Sequence, residues 1–105
     1  MRTVEFRHLL DEQSALRVRF VSDRGQVVEF VVQLECVFED GWVAVVRYDT
    51  VHGFAHCDWL HSYEPTTKTT MNTRNYNEAL SFALSDLAAN WERYHGRYEE
   101  WLKQR

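Results

Sequence analysis

The chain is poor in the residues that interrupt a fold. One proline and four glycines in 105 residues leave no linker to divide it, so a single domain over residues 1–105 is expected. Two cysteines, Cys36 and Cys57, are too few for a disulfide framework and point to a reduced, cytoplasmic setting. No apolar run approaches the roughly 20 residues of a membrane span. The opening MRTVEFRHLLDE is too charged for the apolar core of a secretory leader. A basic excess is missing as well: the formal net charge is −4, so the molecule as a whole is not steered towards nucleic acid. Core-forming material, in contrast, is plentiful. Hydrophobic residues make up 45% of the chain, with four Trp, five Tyr and six Phe, which excludes a disordered polymer. No internal repeat or low-complexity tract is present.

Residues 15–48 alternate apolar and polar with period two, the pattern of half-buried strands. In LRVRFV, Leu16, Val18 and Phe20 share a face; in QVVEFVVQLECVF, Val28, Phe30, Val32, Leu34, Cys36 and Phe38 do so. WVAVVRYD follows the turn EDG, and TVEFRHL at the start suits a further strand with Val4 and Phe6 inward. A one-residue slip would turn every side chain to the opposite face, so registers can be argued. A three-residue loop Glu39-Asp40-Gly41 pairs Phe38 with Trp42, Cys36 with Ala44, Leu34 with Val46 and Val32 with Tyr48. Pairing Phe20 with Val28 sets Val18 by Phe30 and Arg19 by Glu29. For CDWLH, pairing Asp49 with His56 and Arg47 with Asp58 keeps Tyr48 and Cys57 on the core side. The opposite slip would bury Asp58 and His56 without partners.

From Asn75 the period changes. Asn75 and Glu78 have the spacing of a helix N-cap and capping box. Leu80, Leu84, Leu87, Trp91, Tyr94, Tyr98 and Trp101 then recur every three or four residues, an amphipathic stripe. A continuous helix to Lys103 would be about 42 Å long against roughly 26 Å for an eight-residue strand. Either Gly96 breaks it, or Tyr94, Tyr98 and Trp101 pack on a second copy as a homodimer. The expected architecture is therefore α+β: a four- or five-stranded antiparallel meander over about 3–61, a variable loop or edge strand over 62–75, and one long helix over about 76–103 packed on one face.

The other face is left open, and the registers place a polar cluster on it. Arg47 stands centrally between Gln33 and Asp58, Asp49 and His56 lie one pair further on, and His52 sits in the loop above. The cluster admits three readings. Arg47–Asp58 and Asp49–His56 can be plain cross-strand ion pairs. A carboxylate beside an imidazole orients the ring for proton transfer, so His52 and His56 can act as acid and base on a phosphodiester while Arg47 binds its phosphate. Asp49, His52, His56 and Asp58 can also ligate a divalent metal such as zinc, iron or manganese. Metal-free chemistry is the leading expectation. Arg17, Arg19, Arg47, Lys68 and Arg74 would supply substrate contacts if they converge. Val31, Val43 and Val45 on the same face would suit a protein partner instead. His61 should point to the core side, and His8 and His95 are surface or packing residues. Cys57 faces away from His56 and, like Cys36, reads as a core thiol.

The stretch R-Y-D-x-x-H-G-x-x-H-x-D-x-x-H over residues 47–61, followed by Lys68 and Y-N-E-A-L-x-F-A-x-x-D, resembles a family of small uncharacterised prokaryotic proteins whose motif is typically R-Y-D-N-A-H-G-x-P-H-x-H. That motif is in turn similar to the D-N-A-x-H and P-H-H-K-H stretches of TumE-type toxins of type II toxin–antitoxin modules. The matches are Arg47, Tyr48, Asp49, His52, Gly53 and His56, with Lys68 beyond them. The chain departs at Thr50 and Val51, at Ala55 where proline is usual, and at Asp58 where a histidine is usual. The resemblance implies a small RNA-directed enzyme held inactive by an antitoxin-like protein.

Overall fold

The computed structural model describes residues 1–39, 41–60 and 66–104. Its class is α+β, with six strands rather than four or five. Strands β1 (Arg2–Asp11), β2 (Ser14–Asp23), β3 (Gln26–Phe38), β4 (Gly41–Asp49), β5 (His56–Trp59) and β6 (Thr67–Thr70) form one sheet in chain order, every neighbour antiparallel. The additional strand comes from the threonines of 67–70, which form the far edge. Helix α1 (Tyr76–Lys103) packs on one face, mainly over β3 and β4. Asn75 caps it, its side chain accepting from the Glu78 N–H at 2.8 Å. Glu78 turns outward and takes the Arg74 guanidinium at 2.8 Å, which holds its carboxyl below the usual range.

The two central hairpins correct the expected registers in the same way. Between β2 and β3, Asp23 pairs with Gln26 and Ser22 with Val27, then Val21 pairs with Glu29 and Phe20 with Phe30. Between β3 and β4, Phe38 pairs with Gly41 and Cys36 with Val43, then Leu34 pairs with Val46 and Val32 with Tyr48. Each hairpin prefers a two-residue turn, and Arg24 and Gly25 in the first both adopt positive φ, 52° and 80°. That turn is one residue out of step with the apolar faces, so a bulge absorbs the difference, at Val28 in β3 and at Val45 in β4. Val28, expected in the core, is pushed out and is 45% exposed, whereas Val45 and Val46 are both buried. Beyond the bulge Val43 belongs to the core face and Trp42 to the open one. Val43 and Val45 therefore do not form the apolar patch expected for a partner. The expected Phe38–Trp42, Cys36–Ala44 and Phe20–Val28 pairs give way to these. Leu34–Val46, Val32–Tyr48 and the whole β4–β5 register, Val46–Trp59, Arg47–Asp58, Tyr48–Cys57 and Asp49–His56, stand as the alternation implied. Asp40 and His61 lie outside the described residues.

The helix passes Gly96 without a break, and its distal half packs on its own sheet. Tyr94 and Tyr98 are buried there, Tyr98 stacks on Phe38 at 5.0 Å, and His95 lies on the same ring at 4.8 Å. The Arg97 guanidinium lies 3.8 Å above the Trp59 ring. The overhang that suggested a dimer through this end is thus taken up within the chain. One carboxylate ties helix to sheet: Asp86 accepts from the hydroxyls of Tyr48 at 2.7 Å and Tyr94 at 2.8 Å, and from Asn90 at 2.8 Å. Burial, with Asp86 beside it, pushes the Tyr48 phenol far up. Both cysteines are free and buried, as core thiols should be, and burial pushes each up to about 11. Strand β1 has no helix over it, so Phe6 is 45% exposed rather than inward. None of the described helices is long and apolar enough to cross a membrane.

Candidate functional site

The pairing of six strands aligns side chains in rows on the face away from α1. One row runs Arg7, Arg17, Gln33, Arg47, Asp58 and Lys68, one residue from each strand. The next runs Glu5, Arg19, Val31, Asp49, His56 and Thr70. Arg47 is fixed through its Nε, which donates to Gln33 Oε1 at 2.7 Å; Gln33 Nε2 donates to Glu35 Oε2 at 2.7 Å, and the same oxygen accepts from Arg17 Nε at 3.1 Å. This network orients two guanidinium groups on neighbouring parts of the face, and Gln33 and Glu35 are the residues sequence reasoning left without a role. Their signal was legible, two polar side chains two residues apart on a strand otherwise rich in valine.

Asp49, His56 and Asp58 come together and are all buried, His56 completely. The loop between β4 and β5 explains how a polar face is covered. Thr50 O accepts from Gly53 N at 3.0 Å, and Gly53 takes φ +85°, a conformation that favours glycine and accounts for the glycine in the motif. The turn brings His52 and Phe54 back over the site, their ring centroids 5.7 and 5.2 Å from that of His56. The Thr50 hydroxyl anchors the loop by accepting from Phe30 N at 3.1 Å. His56 Nδ1 lies 3.1 Å from the Phe54 carbonyl oxygen. Its Nε2 lies 2.8 Å from Asp49 Oδ1 and 3.6 Å from Asp58 Oδ2. Asp49 Oδ1 also accepts from Val51 N at 3.2 Å, and Asp58 Oδ1 from Lys68 Nζ at 2.9 Å.

The other expected contributors are placed less centrally. His52 is exposed and stacks beside His56, outside the group whose donor atoms lie within 4.8 Å of one another, which comprises Asp49, His56 and Asp58. Arg19 is in the Asp49 row but pairs with Glu29 at 3.3 Å. Arg74 does not converge; it is taken by Glu78 near the helix start. A cavity of about 440 Å³ opens on the helix side, lined by Tyr48, Cys57, Thr69, Met71, Glu78 and Phe82. Burial pushes the thiol of Cys57 in this cavity up to about 11, which disfavours the thiolate that a cysteine nucleophile needs.

Residues 1–104 match the family model described as Domain of unknown function (DUF7718). The chain belongs to this family. Neither the curated proteins nor the solved structures give a match.

Proposed function

We propose that this chain is a small RNA-directed phosphodiesterase of the toxin type, with the β2–β6 part of the open face as its substrate surface. The observation that carries the proposal is the row Arg17, Gln33, Arg47, Asp58 and Lys68, which shares Asp58 with the Asp49–His56–Asp58 cluster and lies beside Asp49 and His56 of the next row. Four inter-strand steps from β2 to β6 span about 19 Å, a track on which a backbone can meet successive cations. Arg47, held through its Nε, presents the outer edge of its fork to a phosphate. The exposed His52 is the group that exchanges protons with substrate, because His56 is sealed from solvent; His56, its Nδ1 on the Phe54 carbonyl oxygen and its Nε2 close to Asp49, stands behind it. This divides the roles of the two histidines that the sequence paired as equals. The family motif that residues 47–61 resemble is itself similar to stretches of TumE-type toxins, and that resemblance, at one remove, implies the same chemistry and an antitoxin-like protein that covers this face in the resting state.

Incubation of the purified chain with single-stranded RNA tests the proposal. Cleavage should fall by about 100-fold or more in His52→Ala and Arg47→Ala, with both variants folded by circular dichroism. Intact RNA at stoichiometric protein, together with normal growth of cells expressing the chain, would overturn it. One observation favours a second reading, a non-enzymatic interaction module: β1 is a ten-residue edge strand with Phe6 and Leu9 exposed, suited to pairing with another chain. A monomeric mass in light scattering at micromolar concentration, with no partner retained on purification, removes that reading.

A further inference from the structure

We propose that Asp49, His56 and Asp58 form a divalent-cation site. The tautomer of His56 is the starting point. Nδ1 faces the Phe54 carbonyl oxygen at 3.1 Å, and a carbonyl can only accept, so Nδ1 carries a proton. Nε2 is then the ring's free donor atom, and it is fully buried without a hydrogen-bond partner among the described residues. It has two carboxylate oxygens close by, at 2.8 and 3.6 Å, yet the nearer lies off the ring's N–H direction, so even a protonated Nε2 would not point at it. Proximity without alignment is what ligands of one ion show. Two bonds of about 2.1 Å meeting at about 85–120° place donor atoms about 2.8–3.6 Å apart, each aimed at the ion rather than at its neighbour. Nε2 has that spacing to both carboxylate oxygens, and the three donor atoms all lie within 4.8 Å of one another.

Charge leads to the same place. Asp58 has the Lys68 ammonium at 2.9 Å, whereas Asp49 has a backbone N–H and the imidazole but no lysine or arginine within ion-pair distance among the described residues. A carboxylate only 7% exposed is costly to leave without a cation. The surroundings also have the form of outer contacts to ligands: a backbone carbonyl fixes the imidazole tautomer, and Lys68 holds one oxygen of Asp58 so that the other faces inward. His52 is not a ligand, which reduces the expected set of four to three. One imidazole and two carboxylates suit manganese, iron or zinc in the divalent state and leave positions for water or a phosphate oxygen. Any part the ion plays in cleavage rests on the function proposed above; its binding does not.

The test is calorimetric titration of chelator-treated protein with Mn²⁺, Zn²⁺ and Co²⁺ chlorides, beside melting curves with and without each ion. One ion per chain, with a raised melting temperature, is expected. Asp49→Asn and Asp58→Asn, which keep shape, should weaken binding about 100-fold or more, and His52→Ala by less than about threefold. A measurement on the unaltered chain guards against variants that unfold: Mn²⁺ should broaden the His56 ring resonances first and most strongly. No binding at millimolar ion, broadening centred elsewhere, or equal loss in His52→Ala would overturn the site. RNA cleavage measured on the same samples separates the two proposals. Binding without cleavage keeps the cation site and removes the enzyme, whereas cleavage persisting in chelator without binding does the reverse.

Discussion

Strands β1 and β5 are opposites. β1 has ten residues, including Val4, Phe6, Leu9 and Leu10, and is mostly exposed on both faces. β5 has four, His-Cys-Asp-Trp, and its histidine, cysteine and aspartate are all buried. Hydropathy would have ranked them the other way. Coverage decides instead: α1 lies over β3 and β4, its Arg97 reaching Trp59 at the end of β5, and the 50–55 loop folds His52 and Phe54 over the other face. β1 has neither. Burying ionisable groups while phenylalanine and leucine stay in water is the costlier arrangement, since an apolar trio at the same place would be cheaper.

The contrast can be broken or sharpened by substitution, beginning with the largest expected effect. Leu87, fully buried beneath the sheet centre, should cost about 3 kcal/mol as Leu87→Ala, while Phe6→Ala on β1 should cost less than about 1 kcal/mol, both read from urea unfolding. Equal costs would mean that β1 is covered in solution. Next, the same residue type can be compared at the two ends. In chelator, His56→Ala should lose about 2 kcal/mol, because it leaves a void and two carboxylates facing each other, whereas exposed His8→Ala should stay within about 0.5 kcal/mol of the parent.

A separate effect, confined to alkaline pH, comes from the thiols. Cys36 and Cys57 are pushed up to about 11 from the ordinary value near 9.0 because burial disfavours the thiolate. The folded state therefore holds those protons more tightly than the unfolded one. Their contribution to stability is fully present below pH 9 and is lost as the pH rises through about 11. Replacing both with alanine should flatten that alkaline slope in melting curves. Smallest of all, Arg19→Ala removes an exposed pair with Glu29 and should change stability by less than about 0.5 kcal/mol, vanishing in high salt.

How much of this was legible in the sequence differs from residue to residue. The antiparallel order and the α+β class followed from period-two and period-three-to-four patterns, and the β4–β5 register followed from the cost of burying Asp58 and His56 without partners. The bulges at Val28 and Val45 did not follow, since strict alternation has no place for an extra residue, and a turn's preference for two residues is felt only when both strands are paired. In the site, the meeting of Asp49, His56 and Asp58 was legible from register alone. The depth at which His56 sits was not, because it depends on the path of the 50–55 loop, where Gly53 and Phe54 act through backbone conformation and a carbonyl oxygen rather than through any pattern of residue types.

The bulge at Val28 has a consequence for how this family can vary in length. Val28 is the extra, unpaired residue between Val27 and Glu29, whose own partners Ser22 and Val21 are adjacent. Deleting it would leave an unbroken ladder, the same two-residue turn and every other side chain on its present face. Deleting Val27 instead gives the identical sequence, whereas deletion of a residue further along β3 would invert the strand on one side of the gap. Relatives one residue shorter in this hairpin should therefore have lost position 28 and kept all that follows, so that chain length itself records where the sheet tolerates editing.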